Sequence, residues 1–402
     1  MVRSEAVVVD AARSPFGRAG EKGKLKDATY RELLIPVLRL LIERNRVNPA
    51  EIDDIVLGSV GLSGALTNAR NVVFEAGLPV SVAGLDLNRQ CGSGLVSCMV
   101  AAYQIMAGDG DLFLAGGIET MSQVDVLSSS GDGSGDSAPG ATGPVPERLA
   151  TWYELLGRDA YNMLFTAEQL AKVNGIPREV LDQWALRSHQ KTVAAHNTGL
   201  FAEEIVPITI KYSDGSAVTL DRDQCPRPDT SLEKLASLEP VYEAGGVITA
   251  GNSCPRNDGA AVCLITSKDK ARSMGRKPLA TLRHYAQIGV PPEIMGQGPV
   301  EAIRKLLKRI GMSVSDFGLV EIHEAFAVVP VNAMRQLGIP EDRLNVKGGA
   351  VAIGHPLGAS GARIVSSLAR EMVRRQVQWG LIGICCGGGQ GVAAVLELED
   401  YA

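Results

Sequence analysis

The chain of 402 residues has no excess of basic side chains: 40 Lys and Arg stand against 45 Asp and Glu, for a formal net charge of −5. That balance gives no general basic surface for DNA, RNA or anionic lipid, although a local basic pocket for a phosphorylated ligand is still allowed. No apolar run approaches the ~20 residues of a membrane span, and Met1 to Asp10 runs straight into a strand-like segment with no signal-peptide pattern. The 7 cysteines are an odd number without C-x-x-C or paired Cys/His spacing. A secreted disulfide framework and a zinc site are therefore not indicated, and a reducing, cytoplasmic setting is expected. Aromatic residues make up only 4 % of the chain, whereas glycine is abundant, at 45 residues. That glycine share is about 11 % against an ordinary ~7 %. It follows no G-X-Y period and accompanies 45 % hydrophobic residues, which excludes a collagen-like fibre and a disordered chain.

Short β-rich runs alternate with longer helical patterns, the signature of βαβ units and a mostly parallel sheet. Strands are expected at Ala6 to Asp10, Ile55 to Gly58, Val82 to Leu87 and Asp111 to Ala115, with helices near Thr29 to Arg44, Asn68 to Ala76 and Ser93 to Ala107. The alternation returns with strands at Ala280 to His284, Leu319 to Ile322, Leu381 to Cys385 and Val392 to Leu398. The helices here lie near Pro299 to Ile310, Phe326 to Leu337 and Gly358 to Arg375. Ser93-Gly94 and Ser360-Gly361 each open a helix that leads to a strand ending in paired glycines, Gly116-Gly117 and Gly387-Gly388, which points to a duplicated unit. Ser128 to Pro146 reads as an exposed Gly/Ser/Asp/Pro loop, Asp159 to Asn197 as helical, and Ile205 to Pro240 as loop-rich with a hairpin around Asp214-Gly215. Residues 121–247 are then expected to form an insertion within the first half (1–120 with 248–270), ahead of the second (271–402).

Four segments carry chemistry. Cys91 in Asn88 to Gly94 follows a strand and precedes a helix, where the helix dipole and backbone N–H groups favour thiolate over thiol. His355 stands between Gly354 and Pro356 in a block, Val346 to Gly361, dense in glycine. It can take a thiol proton or donate to a developing oxyanion. Cys385 and Cys386 end an apolar strand, so their side chains point to opposite faces and only one can meet a cavity. The glycines after them expose N–H groups suited to an oxyanion hole. His323-Glu324-Ala325-Phe326 follows a strand at the sheet edge where open α/β folds bind ligands, with no H-E-x-x-H metal spacing.

Together with Asp10 to Arg18 (DAARSPFGR), Gly116 to Ser122 (GGIETMS), Thr249 to Asn252, Asn257 to Ala261 and Met295 to Val300, these segments resemble the thiolases, acyl-CoA C-acyltransferases, in order along nearly the whole chain. The resemblance implies two βαβαβαββ halves in a five-layer α-β-α-β-α core, with a loop domain inserted into the first. It implies Cys91 as acyl acceptor, His355 as its activator and Cys385, rather than Cys386, as proton shuttle at the α-carbon. The N–H groups of Cys91 and Gly387 would form one oxyanion hole, and His323 would serve another. Coenzyme A is the implied cosubstrate, with no permanently bound cofactor or metal. Arg227 would lie near its adenine and Ala250 and Cys254 along its pantetheine, while Met163, Met295, Ala325 and Phe326 would surround the acyl group.

The sequence departs from the common pattern at several positions. His323 stands where many thiolases have asparagine, as in the branch resembling the degradative 3-ketoacyl-CoA enzymes. Asn162 stands where short-chain members often carry histidine, and Cys254 replaces a common serine. These departures lean towards a longer or bulkier 3-oxoacyl-CoA. The loop at Ser128 to Pro146 does not match the tetramer-building loop of many relatives, so a homodimer or a dimer of dimers is expected. Two other readings fit the residues: a subunit of a heteromeric complex acting on an aromatic or dicarboxylic 3-oxoacyl-CoA with an accessory partner, and a catalytically silent acyl-CoA-binding subunit.

Overall fold

The computed structural model describes residues 4–61, 68–123, 162–212 and 215–398. The Gly/Ser-rich stretch 128–146 lies outside them. Strands β1 (Ala6–Arg13), β2 (Gly17–Arg18), β3 (Asp54–Gly58), β4 (Ala83–Leu87), β5 (Leu112–Thr120), β8 (Asn257–Ser267), β9 (Ala280–Gly289), β10 (Leu319–Ile322), β11 (Trp379–Cys386) and β12 (Gln390–Glu397) form one ten-stranded sheet. Its order is β10-β11-β12-β9-β1-β8-β5-β3-β4, with β2 paired to β8. β6 (Ile208–Lys211) and β7 (Ala217–Leu220) form a separate antiparallel pair, and Asp214 of the turn expected there lies outside the described residues.

The sheet is mixed rather than mostly parallel. Only β3 with β4, β3 with β5 and β10 with β11 run parallel, while β8, β9 and β12 pair antiparallel with their neighbours. The physical reason lies in the connections. β11 turns straight into β12 through Gly387 to Gly389, a link too short for a crossover helix. β8 was not separately legible, because its eleven residues are buried on both faces and show no alternation.

Apolar side chains alternate between three cores. On β1, Val7 and Val9 face the helices Tyr30–Asn45 and Asn68–Glu75, whereas Ala6 and Val8 face the central helices Ser93–Ala107 and Ser360–Arg375. On β12, Val392, Ala394 and Leu396 face those central helices, and Ala393 and Val395 face the helices Gly298–Ile310 and Val328–Leu337. The two halves of the one sheet thus pack on the same central helices, which gives successive layers of helix, sheet, helix, sheet, helix. The helix Tyr30–Asn45 starts on a capping box between Thr29 and Glu32, a signal worth about 0.5–2 kcal/mol. The expected helical stretch up to Asn197 is two helices, Met163–Val173 and Arg178–Asn197, separated around Pro177.

Strand registers relate the two halves, though not through the expected paired glycines: Gly116-Gly117 lie inside β5, whereas Gly387-Gly388 follow the end of β11. Val56 of β3 pairs with Ala115 of β5, as Val320 of β10 pairs with Leu381 of β11. Four residues on, Glu119 lies opposite Gly259 in β8, and Cys385 lies opposite Gly391 in β12. β1 and β9, the corresponding first strands, pair antiparallel through Val7–Thr281 and Val8–Ala280, joining the halves about a local two-fold relation. The central helices meet at their N-termini. A Cβ on Gly361 would lie 2.1 Å from the Leu95 amide nitrogen, and one on Gly94 would lie 2.5 Å from the Gly358 carbonyl oxygen. Only glycine permits that backbone approach.

Candidate active site

The loops that follow the carboxyl ends of β4, β10 and β11 converge. Cys91 sits in the turn between β4 and the central helix Ser93–Ala107, 7 % exposed. Ser93 builds that turn: its Oγ accepts from the Arg89 amide at 2.8 Å and donates to the Gln90 carbonyl at 2.7 Å, and Gln90 adopts φ 51°. The backbone N–H groups of Gly387 and of Cys91 itself lower the pKa of the Cys91 thiol, yet burial outweighs them and pushes it up to about 11. The expectation of a favoured thiolate is corrected accordingly: taking the charge out of water costs more than two N–H dipoles return. The resting group is a thiol that needs a base.

His355 is 4 % exposed. Its backbone N–H donates to Asn257 Oδ1 at 3.0 Å, and its Nδ1 lies 2.7 Å from Ser360 Oγ. The Ser360 hydroxyl donates its single proton to the Pro356 carbonyl at 2.9 Å, so Nδ1–H is the donor to Ser360. This network assigns the tautomer and leaves Nε2 with a free lone pair and no hydrogen-bond partner among the described residues. Burial first, then Arg363, pulls the His355 pKa down to about 3, so the imidazole is neutral near pH 7.

The ring of His323 packs at a tilt against that of His355, with centroids 4.1 Å apart and an interplanar angle of 60°. It too is buried, with both ring nitrogens lacking a hydrogen-bond partner among the described residues. Burial, His355 and Arg363 in that order hold it well below the usual histidine range. Its neighbour Glu324 turns away, accepting from Trp184 Nε1 (3.0 Å), Ser188 Oγ (2.7 Å), Asn345 Nδ2 (2.9 Å) and the Val351 N–H (3.1 Å). This knot fixes the loop that presents His323.

Cys385 and Cys386 face opposite cores, as strand alternation requires: Cys386 joins the central cluster and Cys385 the cluster of the second half. Burial raises the Cys385 and Cys254 thiols, each further raised by the neighbouring Cys91. Met163, Met295, Ala325, Phe326 and Cys385 share one apolar cluster. Phe326 lies just before its expected helix, which begins at Val328, and forms a bridge with Ser253 instead. Asn162 caps the helix Met163–Val173, its Oδ1 accepting from Leu164 N–H at 3.0 Å.

A cavity of about 1210 Å³ opens alongside, and Arg227, Ala250 and Cys254 line it, together with the basic side chains of Arg18, Lys22 and Arg256. Cys91, His323, His355 and Cys385 are not among its lining residues. Cys254 joins it to them, because that residue lines the cavity and interacts electrostatically with Cys91. Sequence reasoning missed His189, which also lines the cavity and accepts the Arg227 N–H on Nδ1 at 3.2 Å. It also missed the orienting roles of Asn257 and Ser360. Ser360 had a local signal, since it lies five residues after His355 at the first turn of a helix. Among the described residues no group of three His, Cys, Asp or Glu side chains is placed to hold a metal ion, and no helix is long and apolar enough to cross a membrane.

Residues 6–269 match the family model for the thiolase N-terminal domain, and residues 276–398 match that for the thiolase C-terminal domain. The chain is 41 % identical over 396 residues to an acetyl-CoA acetyltransferase of Chromobacterium violaceum, covering 98 % of this chain and 99 % of the relative. It is 40 % identical over 405 residues, with the same coverage, to a 3-oxoadipyl-CoA/3-oxo-5,6-dehydrosuberyl-CoA thiolase of Escherichia coli strain K12. Among solved structures, a Bacillus anthracis acetyl-CoA acetyltransferase superposes with a TM-score of 0.87 at 38 % identity, covering 98 % of this chain and 99 % of that one.

Proposed function

Because this chain belongs to the thiolase family, acyltransferases that cleave a 3-oxoacyl-CoA with coenzyme A or run the reverse Claisen condensation, we propose that Cys91, His355 and Cys385 divide that chemistry. Cys91 attacks the 3-oxo carbon while His355 Nε2 takes the thiol proton. The C2–C3 bond breaks, the acyl group stays on Cys91 as a thioester, and the carbanion of the departing acetyl-CoA takes a proton from Cys385. The thiol of coenzyme A then gives its proton to the Cys385 thiolate and attacks the thioester, the shortened acyl-CoA leaves, and Cys91 recovers its proton from His355. The N–H groups of Cys91 and Gly387 hold the oxyanion formed at the acyl carbon, and His323 with His355 serves the thioester oxygen of acetyl-CoA.

The observation that carries this reading is the meeting of Gly387 N–H with the Cys91 thiol, which aims a donor from the second half at the nucleophile of the first. Coenzyme A is the cosubstrate. We place its phosphates among Arg18, Lys22, Arg227 and Arg256, and its pantetheine past Ala250 and Cys254, because these side chains line one cavity of about 1210 Å³. The apolar surroundings of Met163, Met295, Ala325 and Phe326, with His323 in place of asparagine, favour a degradative enzyme for a longer acyl group. The β4 edge carries exposed Phe74, Val80 and Leu85 nearby, which supports a homodimer, and seven free cysteines fit a reducing compartment such as the cytoplasm. We read 1–120 with 248–270 and 271–402 as the two halves and 121–247 as the insertion.

Intact-mass analysis after incubation with acetyl-CoA tests the mechanism. One acetyl adduct on the wild type and none on Cys91→Ala is the expected pair, and an unmodified wild type overturns it.

A further inference from the structure

Glu119 is a fully buried carboxylate that the chemistry above leaves unused. It is the penultimate residue of β5, and its two oxygens accept three backbone N–H bonds: from Val60 at 3.1 Å and Gly358 at 3.0 Å on one oxygen, and from Gly61 at 2.8 Å on the other. Val60 and Gly61 belong to the first half. Gly358 belongs to the second, midway between His355 and the Ser360 that orients it.

The strand registers give this contact a second meaning. By the pairing of Val56 with Ala115 and of Val320 with Leu381, Glu119 is the two-fold counterpart of Cys385, and each faces a glycine across its ladder. Counted back from Ser93 and Ser360 at the starts of the central helices, Gly358 is the counterpart of Cys91. The place that on one side holds two catalytic thiols thus holds on the other a carboxylate bound to a backbone amide.

The surrounding fit leaves no room for a side chain. A Cβ on Gly358 would lie 2.3 Å from the Gly58 carbonyl oxygen, and one on Gly117 would lie 2.1 Å from that of Gly358. Burial opposes an ionised Glu119, raising its pKa to about 6 against its three N–H bonds, with Asp258 adding to the rise. Its charge in turn raises the Cys91 thiol. A carboxylate that is unfavourable both for its own solvation and for the nucleophile has another use.

We propose that Glu119 is a positioning residue, a clamp across the two-fold relation that fixes the His355 loop of the second half against the Cys91 face of the first. The proposal rests on the assignment of Cys91 and His355 as the reacting pair. Glu119 does not line the basic cavity, so the clamp acts on turnover and leaves the binding of coenzyme A unchanged.

The test is Glu119→Gln, which keeps the shape but offers one acceptor oxygen to three donors. In thiolysis of acetoacetyl-CoA it lowers kcat roughly 10- to 100-fold, in line with losing one or two such bonds, leaves the KM for coenzyme A within about twofold, and keeps the thermal midpoint. Glu119→Asp, which retains the charge on a shorter arm, restores part of kcat. A Glu119→Gln kcat within twofold of wild type overturns the clamp, as does a loss of kcat matched by a loss of folded protein. If Glu119→Gln does not fold, Glu119→Asp decides: a kcat within twofold of wild type, or a second failure to fold, overturns the proposal. A wild type that turns over and acylates Cys91 while Glu119→Gln equals it sinks the clamp alone; a wild type that never acylates Cys91 sinks the assignment beneath it.

Discussion

Removal of the Ser360 hydroxyl isolates the step in which His355 takes a proton. Ser360 Oγ lies 2.7 Å from His355 Nδ1 and gives its own proton to the Pro356 carbonyl. In Ser360→Ala the Nδ1–H is left buried without an acceptor, at a cost of about 1–3 kcal/mol. The imidazole escapes that cost by shifting its proton to Nε2, the tautomer that cannot accept from Cys91. Either way the reactive form is disfavoured by that amount, which at about 1.4 kcal/mol per decade corresponds to roughly a 5- to 150-fold loss of kcat. Rapid-quench mass analysis of acyl-Cys91 formation, alongside steady-state thiolysis, separates the loss from any effect on coenzyme A. The KM for coenzyme A stays within about twofold, because Ser360 does not line the cavity. A kcat within threefold of wild type, or a KM that rises in step with the loss, would refute the tautomer argument.

Two further expectations concern charge. With its pKa pushed up to about 11, the Cys91 thiol of the free enzyme is ionised only above that pH. Alkylation by iodoacetamide therefore accelerates about tenfold per pH unit from 7 to 9, and a flat plateau over that range would instead reveal a standing thiolate–imidazolium pair. Asp223 is buried, and although burial alone would raise its pKa, Arg13 and His196 hold it well below the usual carboxylate range. Its Oδ1 and Oδ2 accept from Arg13 at 2.7 and 2.8 Å. A folded pKa below the unfolded ~3.9 contributes stability above that value that is lost as pH falls through the folded one. Asp223→Asn therefore lowers unfolding stability by about 3–5 kcal/mol at pH 7, the usual cost of breaking one side of a buried pair, and its deficit narrows below about pH 4. Equal urea midpoints at pH 7 would show that Arg13 finds another partner.

Local signals were the ones the sequence carried well. Ser93 opening its helix, the helix near Thr29 to Arg44 and the opposed faces of Cys385 and Cys386 each follow from neighbours within a few residues, and the structure places them as read. What escaped depends on distant partners. Glu119 meets Gly358 across 239 positions and Asn257 meets His355 across 98, and no periodicity encodes such a contact. The strand β8 and the resting state of Cys91 escaped for a shared reason. Both are set by burial, which removes alternation in the strand and outweighs the dipole at the thiol.

The pairing of β1 with β9 has a mechanical consequence. Two bodies joined by a flexible linker can open and shut about a hinge, but here Val7 and Val8 bond to Thr281 and Ala280, and the sheet runs unbroken from one half to the other. Cys91 and His355 come from opposite sides of that seam, so the spacing between nucleophile and base is as stiff as a β-ladder. Substrate entry and acyl-chain accommodation then fall to side chains and loops around a rigid frame. Enzyme with and without acyl-CoA should superpose closely through β1, β8, β9 and β12.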